Sequence, residues 1–182
     1  MQSIAHAQKL TTVQDPVFSA SFYAPYEAAV FAGLDLLHSA REHMPLDVLT
    51  LSCRLKSGES IRGKLGRKHL PQTAAAAGAA LRDIAGLRAV LTTREAVYRY
   101  ADEILRCCAL DLIDVHDYIA VPKKSGYRSL HLIARIPVCM SDGPYSVPIE
   151  IQLRTAAMDA WACAEHALIY KPRFHAQAAL PG

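Results

Sequence analysis

The chain has 182 residues, a formal net charge of +3 and a composition that is 52% hydrophobic, 20% charged and 7% aromatic. This length suits a single domain whose core buries about two-thirds of the unfolded surface without help from disulfides or structural metals. The composition excludes disordered, collagen-like and coiled-coil chains, and the apolar stretches are too short to span a bilayer.

Hydrophobic periodicity and turn residues predict alternating helices and strands along the chain. In chain order, the predicted elements are a helix over 26–43, a strand over 47–56, helices over 57–68 and 74–80, a strand over 86–92, a helix over 94–109, strands over 110–119, 127–137 and 145–154, and a helix over 155–170. This order indicates a mixed sheet with helices, and hence an α+β or α/β fold.

Cysteine usage and charge suggest where the protein works. The five cysteines form no CxxC pair, and their odd number argues against a disulfide framework. No secretory signal is visible at the N-terminus, so a reduced, cytoplasmic enzyme or binding domain is expected. The net charge is too small to imply a nucleic-acid partner by itself, although RNA binding stays open.

Three predicted strands alternate apolar and polar residues, so each has one apolar and one polar face. The polar positions are Arg54 and Lys56 in LTLSCRLK, Ser129, His131 and Arg135 in RSLHLIARI, and Glu150, Gln152 and Arg154 in VPIEIQLR. A solvated face explains any one strand alone. The polar positions cluster towards strand ends that adjoin glycine- or lysine-containing loops, which favours a binding face.

Two loops concentrate cations next to these strands. KSGESIRGKLGRK supplies Lys56, Arg62, Lys64, Arg67 and Lys68, and PKKSGYRS supplies Lys123, Lys124 and Arg128 around an aromatic residue. Such side chains donate charge-assisted hydrogen bonds to phosphate oxygens, and serines near a helix start add further donors. A solvated basic helix explains the first segment equally well.

Two carboxylates could bind a metal ion beside these phosphate-binding cations. Mg²⁺ takes one or two carboxylates and leaves its other positions to water and phosphate. Asp83 precedes a predicted strand in RDIAGLR, and Glu150 lies on the polar face of another. Taken alone, Asp83 could equally be a helix cap.

Five motifs occur in one order: RLKSGESIRGKL (54–65), DIAGLR (83–88), DYIAVPKKSGYRSLH (117–131), EIQLRT (150–155) and AMDAWACAEHALIYK (157–171). With them the chain resembles the synthetase domain of RelA/SpoT-type alarmone synthetases, most closely the stand-alone small alarmone synthetases. The resemblance implies an α+β, nucleotidyltransferase-like mixed sheet of about five strands flanked by helices. It also implies an N-terminal segment and helix over 1–45, a synthetase domain over 46–171 and a short tail over 172–182.

The resemblance implies a GTP or GDP pyrophosphokinase of the stringent response, which transfers pyrophosphate from ATP to the ribose 3′-hydroxyl and makes (p)ppGpp and AMP. Asp83 and Glu150 would hold Mg²⁺, and Glu150 would also accept the hydroxyl proton. The ATP-binding residues would be Arg54, Lys56, Ser60, Lys64 and Arg88. The acceptor-binding residues would be Lys123, Tyr127, Arg128, His131, Gln152 and Arg154, with Tyr127 stacking on guanine.

Departures from the family pattern leave some points open. Ser125 and Val121 stand where many members have Asn, which predicts altered acceptor preference at most. We expect no hydrolase domain, because the single His-Asp dipeptide, His116-Asp117, lies in a predicted strand without further metal ligands. The short C-terminal tail leaves homo-oligomer formation open.

Two alternative functions remain at this point. A toxic relative could pyrophosphorylate the 3′ end of tRNA or adenosine nucleotides. A non-catalytic nucleotide- or RNA-binding regulator could use the same scaffold, although the retention of Asp83, Tyr127 and Glu150 argues against it.

Overall fold

The computed structural model describes residues 17–106 and 110–170. The helices are α1 (Ala20–Glu42), α2 (Gly58–Arg67), α3 (Ala74–Ala80), α4 (Arg94–Arg106) and α5 (Ala156–Tyr170). The strands are β1 (Val48–Leu55), β2 (Ala85–Leu91), β3 (Asp111–Asp117), β4 (Leu130–Met140) and β5 (Gly143–Thr155). The predicted end of the helix over 94–109 and the tail over 172–182 lie outside the described residues.

The strands form one sheet in the order β1-β2-β5-β4-β3. β2 and β5 are parallel, and the other neighbouring pairs are antiparallel. A mixed five-stranded sheet with flanking helices confirms the predicted α+β class. Because β2 and β5 are central neighbours, residues from the DIAGLR and EIQLRT motifs lie side by side, with Gly86 opposite Glu150 and Arg88 opposite Gln152.

The apolar face of the sheet is covered by α1 and α4, and this interface forms the core. The approach of α1 is close at Gly33, where a Cβ would lie 2.7 Å from Leu87 Cδ1 and 2.9 Å from Ile136 Cδ1. α5 packs on the opposite, polar side against β2 and β5. The polar face is therefore partly roofed by a helix.

Three features differ from the prediction. α1 begins at Ala20 and contains Pro25, because Phe18, Phe22 and Tyr26 form a ring cluster that packs this end of the helix into the core. A register shift between Val48 and Thr50 leaves Leu49 48% exposed, although alternation placed it on the inward face.

The third difference is the start of β4, which begins at Leu130, so the residues from Tyr127 to Ser129 belong to a loop. Lys123 N–H donates to the Tyr127 carbonyl at 3.2 Å, which folds this loop on itself. None of the helices in the described part of the chain has the length and apolarity of a membrane span.

Candidate active site

A cavity of about 1020 Å³ opens on the polar face of the sheet. The predicted site residues that line it are Arg54, Lys64, Asp83, Arg88, Lys123, Tyr127, His131, Glu150, Gln152 and Arg154. The cavity therefore brings together ten of the thirteen predicted site residues. Three other predicted residues, Lys56, Ser60 and Arg128, do not form its wall.

Asp83 lies between two lysines at the end of the cavity formed by α2 and the start of β2. Its Oδ2 accepts from Lys64 Nζ at 2.7 Å and lies 3.1 Å from Lys56 Nζ. Burial by itself raises the pKa of Asp83, but the hydrogen bond from Lys64 and the charges of both lysines outweigh it, so the pKa lies below its ordinary value. Lys56 thus contributes to the site through Asp83.

The N-terminus of α2 is capped by its own serines. Ser57 Oγ accepts from the backbone N–H of Ser60 at 3.3 Å and donates to Ser60 Oγ at 3.0 Å. The Ser60 hydroxyl therefore belongs to the helix cap in this structure, next to the lysines that hold Asp83.

Arg54 on β1 pairs in the register with Gly86 of β2, and its side chain lies beside that glycine. A Cβ on Gly86 would lie 3.6 Å from Arg54 Cγ and 3.8 Å from the carbonyl oxygen of Glu150. The guanidinium of Arg54 is close enough to Glu150 to lower the pKa of that carboxyl. Gly86 thus lies between Arg54 and Glu150, and a Cβ there would make ordinary van der Waals contact with both.

Glu150 is held through both carboxylate oxygens. Oε1 lies 3.0 Å from His131 Nδ1, and Oε2 accepts from Gln152 Nε2 at 2.6 Å. Burial would raise the pKa of Glu150, but the hydrogen bond and charge of His131, then Gln152 and Arg54, lower it to about 2. Glu150 is therefore ionised throughout the neutral range.

The loop before β4 presents an aromatic and cationic cluster. Lys123 Nζ lies 4.4 Å from the ring centre of Tyr118 and 4.9 Å from that of Tyr127. Gly126 has a φ of +85°, and a Cβ there would lie 3.4 Å from Trp161 Cζ2 on α5. Trp161, which is 40% exposed, therefore lies against this loop.

The two arginines predicted to bind the acceptor differ in their surroundings. Arg128 Nη1 donates to the Ile119 carbonyl at 2.9 Å, so this side chain fastens the loop from outside the cavity. Arg154 lies at the cavity wall with its side chain only 5% exposed. Its guanidinium is surrounded by protein acceptors, which belong to Ser129, Asp159, Tyr127 and Gln152.

The residue that sequence reasoning missed is Asp159, in the first turn of α5. Its Oδ1 accepts from Arg154 Nη1 at 3.1 Å and lies 3.3 Å from Arg88 Nη1. It lies inside the AMDAWACAEHALIYK motif, but one acidic residue in a helix is an ordinary surface pattern. Only the packing of α5 over β2 and β5 reveals its role.

Asp83 and Glu150 are a suitable pair for a hard divalent cation. Both line the cavity, and Gly86, three residues after Asp83, pairs with Glu150 in the sheet. Oδ1 of Asp83 is buried and has no hydrogen-bond partner in the described structure, so an oxygen is available as a ligand. Within the described residues, no group of three or more His, Cys, Asp or Glu is placed to hold a metal ion.

Comparisons with known proteins agree with this geometry. A family model described as a region found in RelA / SpoT proteins matches residues 53–174. The GTP pyrophosphokinase YwaC of Bacillus subtilis is 39% identical over 137 residues, which are 75% of this chain and 63% of YwaC. The GTP pyrophosphokinase YjbM of the same organism is 34% identical over 157 residues, which are 82% of this chain and 72% of YjbM.

A solved structure shares the fold as well. Small alarmone synthetase 1 from Bacillus subtilis, bound to its product pppGpp, has a TM-score of 0.76 and 32% identity, covering 82% of this chain and 78% of that chain. The match to the family model extends over more than half of the chain and includes every strand after the first residues of β1. From these matches and the shared fold, the chain belongs to the RelA/SpoT family.

Proposed function

We propose that this protein is a synthetase that transfers a pyrophosphate group from ATP to the ribose 3′-hydroxyl of GDP or GTP, yielding (p)ppGpp of the stringent response and AMP. The observation that carries the proposal is one cavity lined by two carboxylates, Asp83 and Glu150, together with cations from both predicted groups. Support comes from the relatives, which are named GTP pyrophosphokinases. We assign the activity to residues 46–171.

The donor nucleotide would bind at the end of the cavity near β1, α2 and β2. Arg54, Lys64 and Arg88 would contact the phosphates of ATP there, with Lys56 and Ser60 beside them. Phosphoryl-group transfer is catalysed mainly by alignment and charge stabilisation, so a set of fixed cations is the equipment that this reaction needs.

The acceptor nucleotide would bind at the other end, near the loop before β4. Tyr127 would stack on guanine, Lys123 would contact the phosphates, and His131 and Gln152 would support the reacting end. Arg128 would hold the loop, as its bond to the Ile119 carbonyl suggests. Stacking contributes about 1–3 kcal/mol per base, which suits a platform residue that is not itself specific for guanine.

Asp83 and Glu150 would hold Mg²⁺, which when bound neutralises charge on the transferred group. Glu150, ionised at neutral pH, accepts a hydrogen bond from the 3′-hydroxyl and takes its proton. The 3′-oxygen forms a bond to the β-phosphorus of ATP. The bond from that phosphorus to the α,β-bridging oxygen breaks, and AMP leaves with the oxygen.

The test is incubation with γ-labelled ATP, Mg²⁺ and a panel of GMP, GDP, GTP, ADP, ATP and tRNA. We expect label on the 3′ position of GDP or GTP with release of AMP, and no turnover by Glu150→Gln. Glu95→Gln is the matched control, because Glu95 is an exposed carboxylate on α4 away from the cavity. Absence of both labelled product and AMP at micromolar enzyme refutes the proposal, and label on tRNA or adenosine nucleotides alone replaces its acceptor.

A further inference from the structure

The guanidinium of Arg154 is almost fully used by the protein itself. An arginine has five N–H donors in a fixed planar fork. Nε donates to Ser129 Oγ at 3.3 Å, Nη1 to Asp159 Oδ1 at 3.1 Å, and Nη2 to Tyr127 Oη at 2.5 Å and to Gln152 Oε1 at 2.7 Å. One N–H remains on a side chain that is 5% exposed. Arg154 therefore cannot grip a phosphate with two parallel hydrogen bonds unless it leaves these partners.

Two of these partners connect Arg154 to Glu150 by separate routes. In the first route, Tyr127 Oη lies 2.9 Å from His131 Nε2, and His131 Nδ1 lies 3.0 Å from Glu150 Oε1. In the second route, Gln152 accepts from Arg154 with Oε1 and donates to Glu150 Oε2 with Nε2 at 2.6 Å. The five side chains form a closed ring of hydrogen bonds.

The donors in this ring have one consistent direction. Because Tyr127 Oη accepts from Arg154, the hydroxyl proton is available for His131 Nε2. An imidazole that carries one proton then holds it on Nδ1 and donates it to Glu150. Gln152 is oriented in the same sense, since only its amide oxygen can accept from Arg154. Both chains of hydrogen bonds that start at Arg154 Nη2 therefore end on an oxygen of Glu150.

We propose that Arg154 is a positioning residue, which fixes both oxygens of Glu150 through Tyr127–His131 and through Gln152, and that it does not bind the phosphates of the acceptor. The inference rests on the proposed function and replaces the phosphate contact that the family resemblance implies for Arg154. In this arrangement, Arg154 positions both the aromatic ring of Tyr127 and the carboxylate of Glu150.

The kinetic test uses Arg154→Lys, which keeps the charge but cannot span four acceptors with a single nitrogen. Loss of an outer partner of a metal-binding carboxylate ordinarily costs about 10- to 100-fold in activity. We expect kcat to fall by such a factor, equally with GMP, GDP and GTP, while KM changes by less than about twofold. Tyr127→Phe, which keeps a stacking ring, should lower kcat in the same uniform way even where Arg154→Lys fails to fold.

Two comparison variants make the result specific. Lys123→Gln removes a cation that we place at the acceptor phosphates, so its loss should grow from GMP to GTP. Arg99→Lys changes an arginine that is 63% exposed and outside the cavity, so its turnover should equal that of the unchanged protein. A KM increase for Arg154→Lys that grows from GMP to GTP overturns the inference.

A second readout needs no turnover. Ring ¹⁵N spectra at about pH 8.5, above the range in which histidines ordinarily take a second proton, report which nitrogen of His131 is protonated. We expect Nδ1–H in the unchanged protein and a shift towards Nε2–H in Tyr127→Phe and Arg154→Lys. Identical spectra in all three proteins overturn the inference. Failure of the proposed function would appear instead as absence of product from the unchanged protein.

Discussion

Replacement of Glu150 by Gln should remove a specific part of the protein's sensitivity to acid. The pKa of Glu150 is lowered from 4.5 to about 2 in the folded chain. A carboxyl with a depressed folded pKa stabilises the fold above its unfolded pKa, and this stabilisation is lost as pH falls towards the folded value. Between pH 6.5 and about pH 3.5, one pH unit below 4.5, the contribution falls by about 1.4 kcal/mol.

The assay is urea unfolding of the unchanged protein, Glu150→Gln and the exposed-site control Glu95→Gln at both pH values. The unchanged protein and Glu95→Gln should lose about 1.4 kcal/mol more than Glu150→Gln over this interval. Gln retains a side-chain oxygen for His131 but has no charge to titrate. If all three proteins lose the same free energy of unfolding, the strong ionic environment of Glu150 is refuted.

The other predictions concern packing, loop geometry and the donor side. Gly33→Ala should lower the free energy of unfolding by about 1–3 kcal/mol, because its Cβ would lie 2.7 Å from Leu87 Cδ1, whereas Gly63→Ala, with no atom nearer than 3.5 Å, should raise it by up to about 1 kcal/mol in the same urea assay. Gly126→Ala should strain a residue at φ +85° by about 1–2 kcal/mol and raise KM for the guanosine acceptor in steady-state assays, and an unchanged KM would show that the loop tolerates the shift. Lys64→Met should raise KM for ATP about tenfold or more with little change in acceptor KM, and an equal rise in both would contradict its assignment to the donor side.

The fold was predictable where local pattern and packing agree. Strand alternation placed Glu150 and Gln152 on the polar face, and both lie there in the cavity wall. Alternation failed at Leu49, because a bulge at the start of β1 shifts the register, and a bulge leaves little mark in the residues themselves. The start of α1 was missed because Pro25 is a strong helix-breaking signal, whereas the aromatic packing that overrides it is a tertiary effect.

The site was predictable as a set of residues but not as a set of contacts. Periodicity shows that Arg154 shares a face with Glu150. It cannot show that Tyr127 and Gln152 accept hydrogen bonds from Arg154. Asp159 lies on a helix that follows the sheet, so its position over two arginines depends on how α5 packs. Side-chain partners of this kind depend on distances across elements, which spacing along one element does not encode.

The distribution of charge in the cavity follows one rule. Each of three carboxylates interacts with two basic side chains. Asp83 forms ion pairs with Lys56 and Lys64, and Asp159 forms them with Arg88 and Arg154. Glu150 pairs with His131, and the charge of Arg54 also lowers the pKa of Glu150. The two cations of each pair would repel each other without the carboxylate between them, and an unpaired buried charge costs several kcal/mol. The carboxylates therefore hold the cations in place in the absence of a ligand. In the proposed reaction, nucleotide phosphates would compete with these carboxylates, which would limit ground-state binding and favour interactions with the transferred group as it develops charge. The net charge of +3 is thus a sum over a chain whose cavity is lined by charges of both signs.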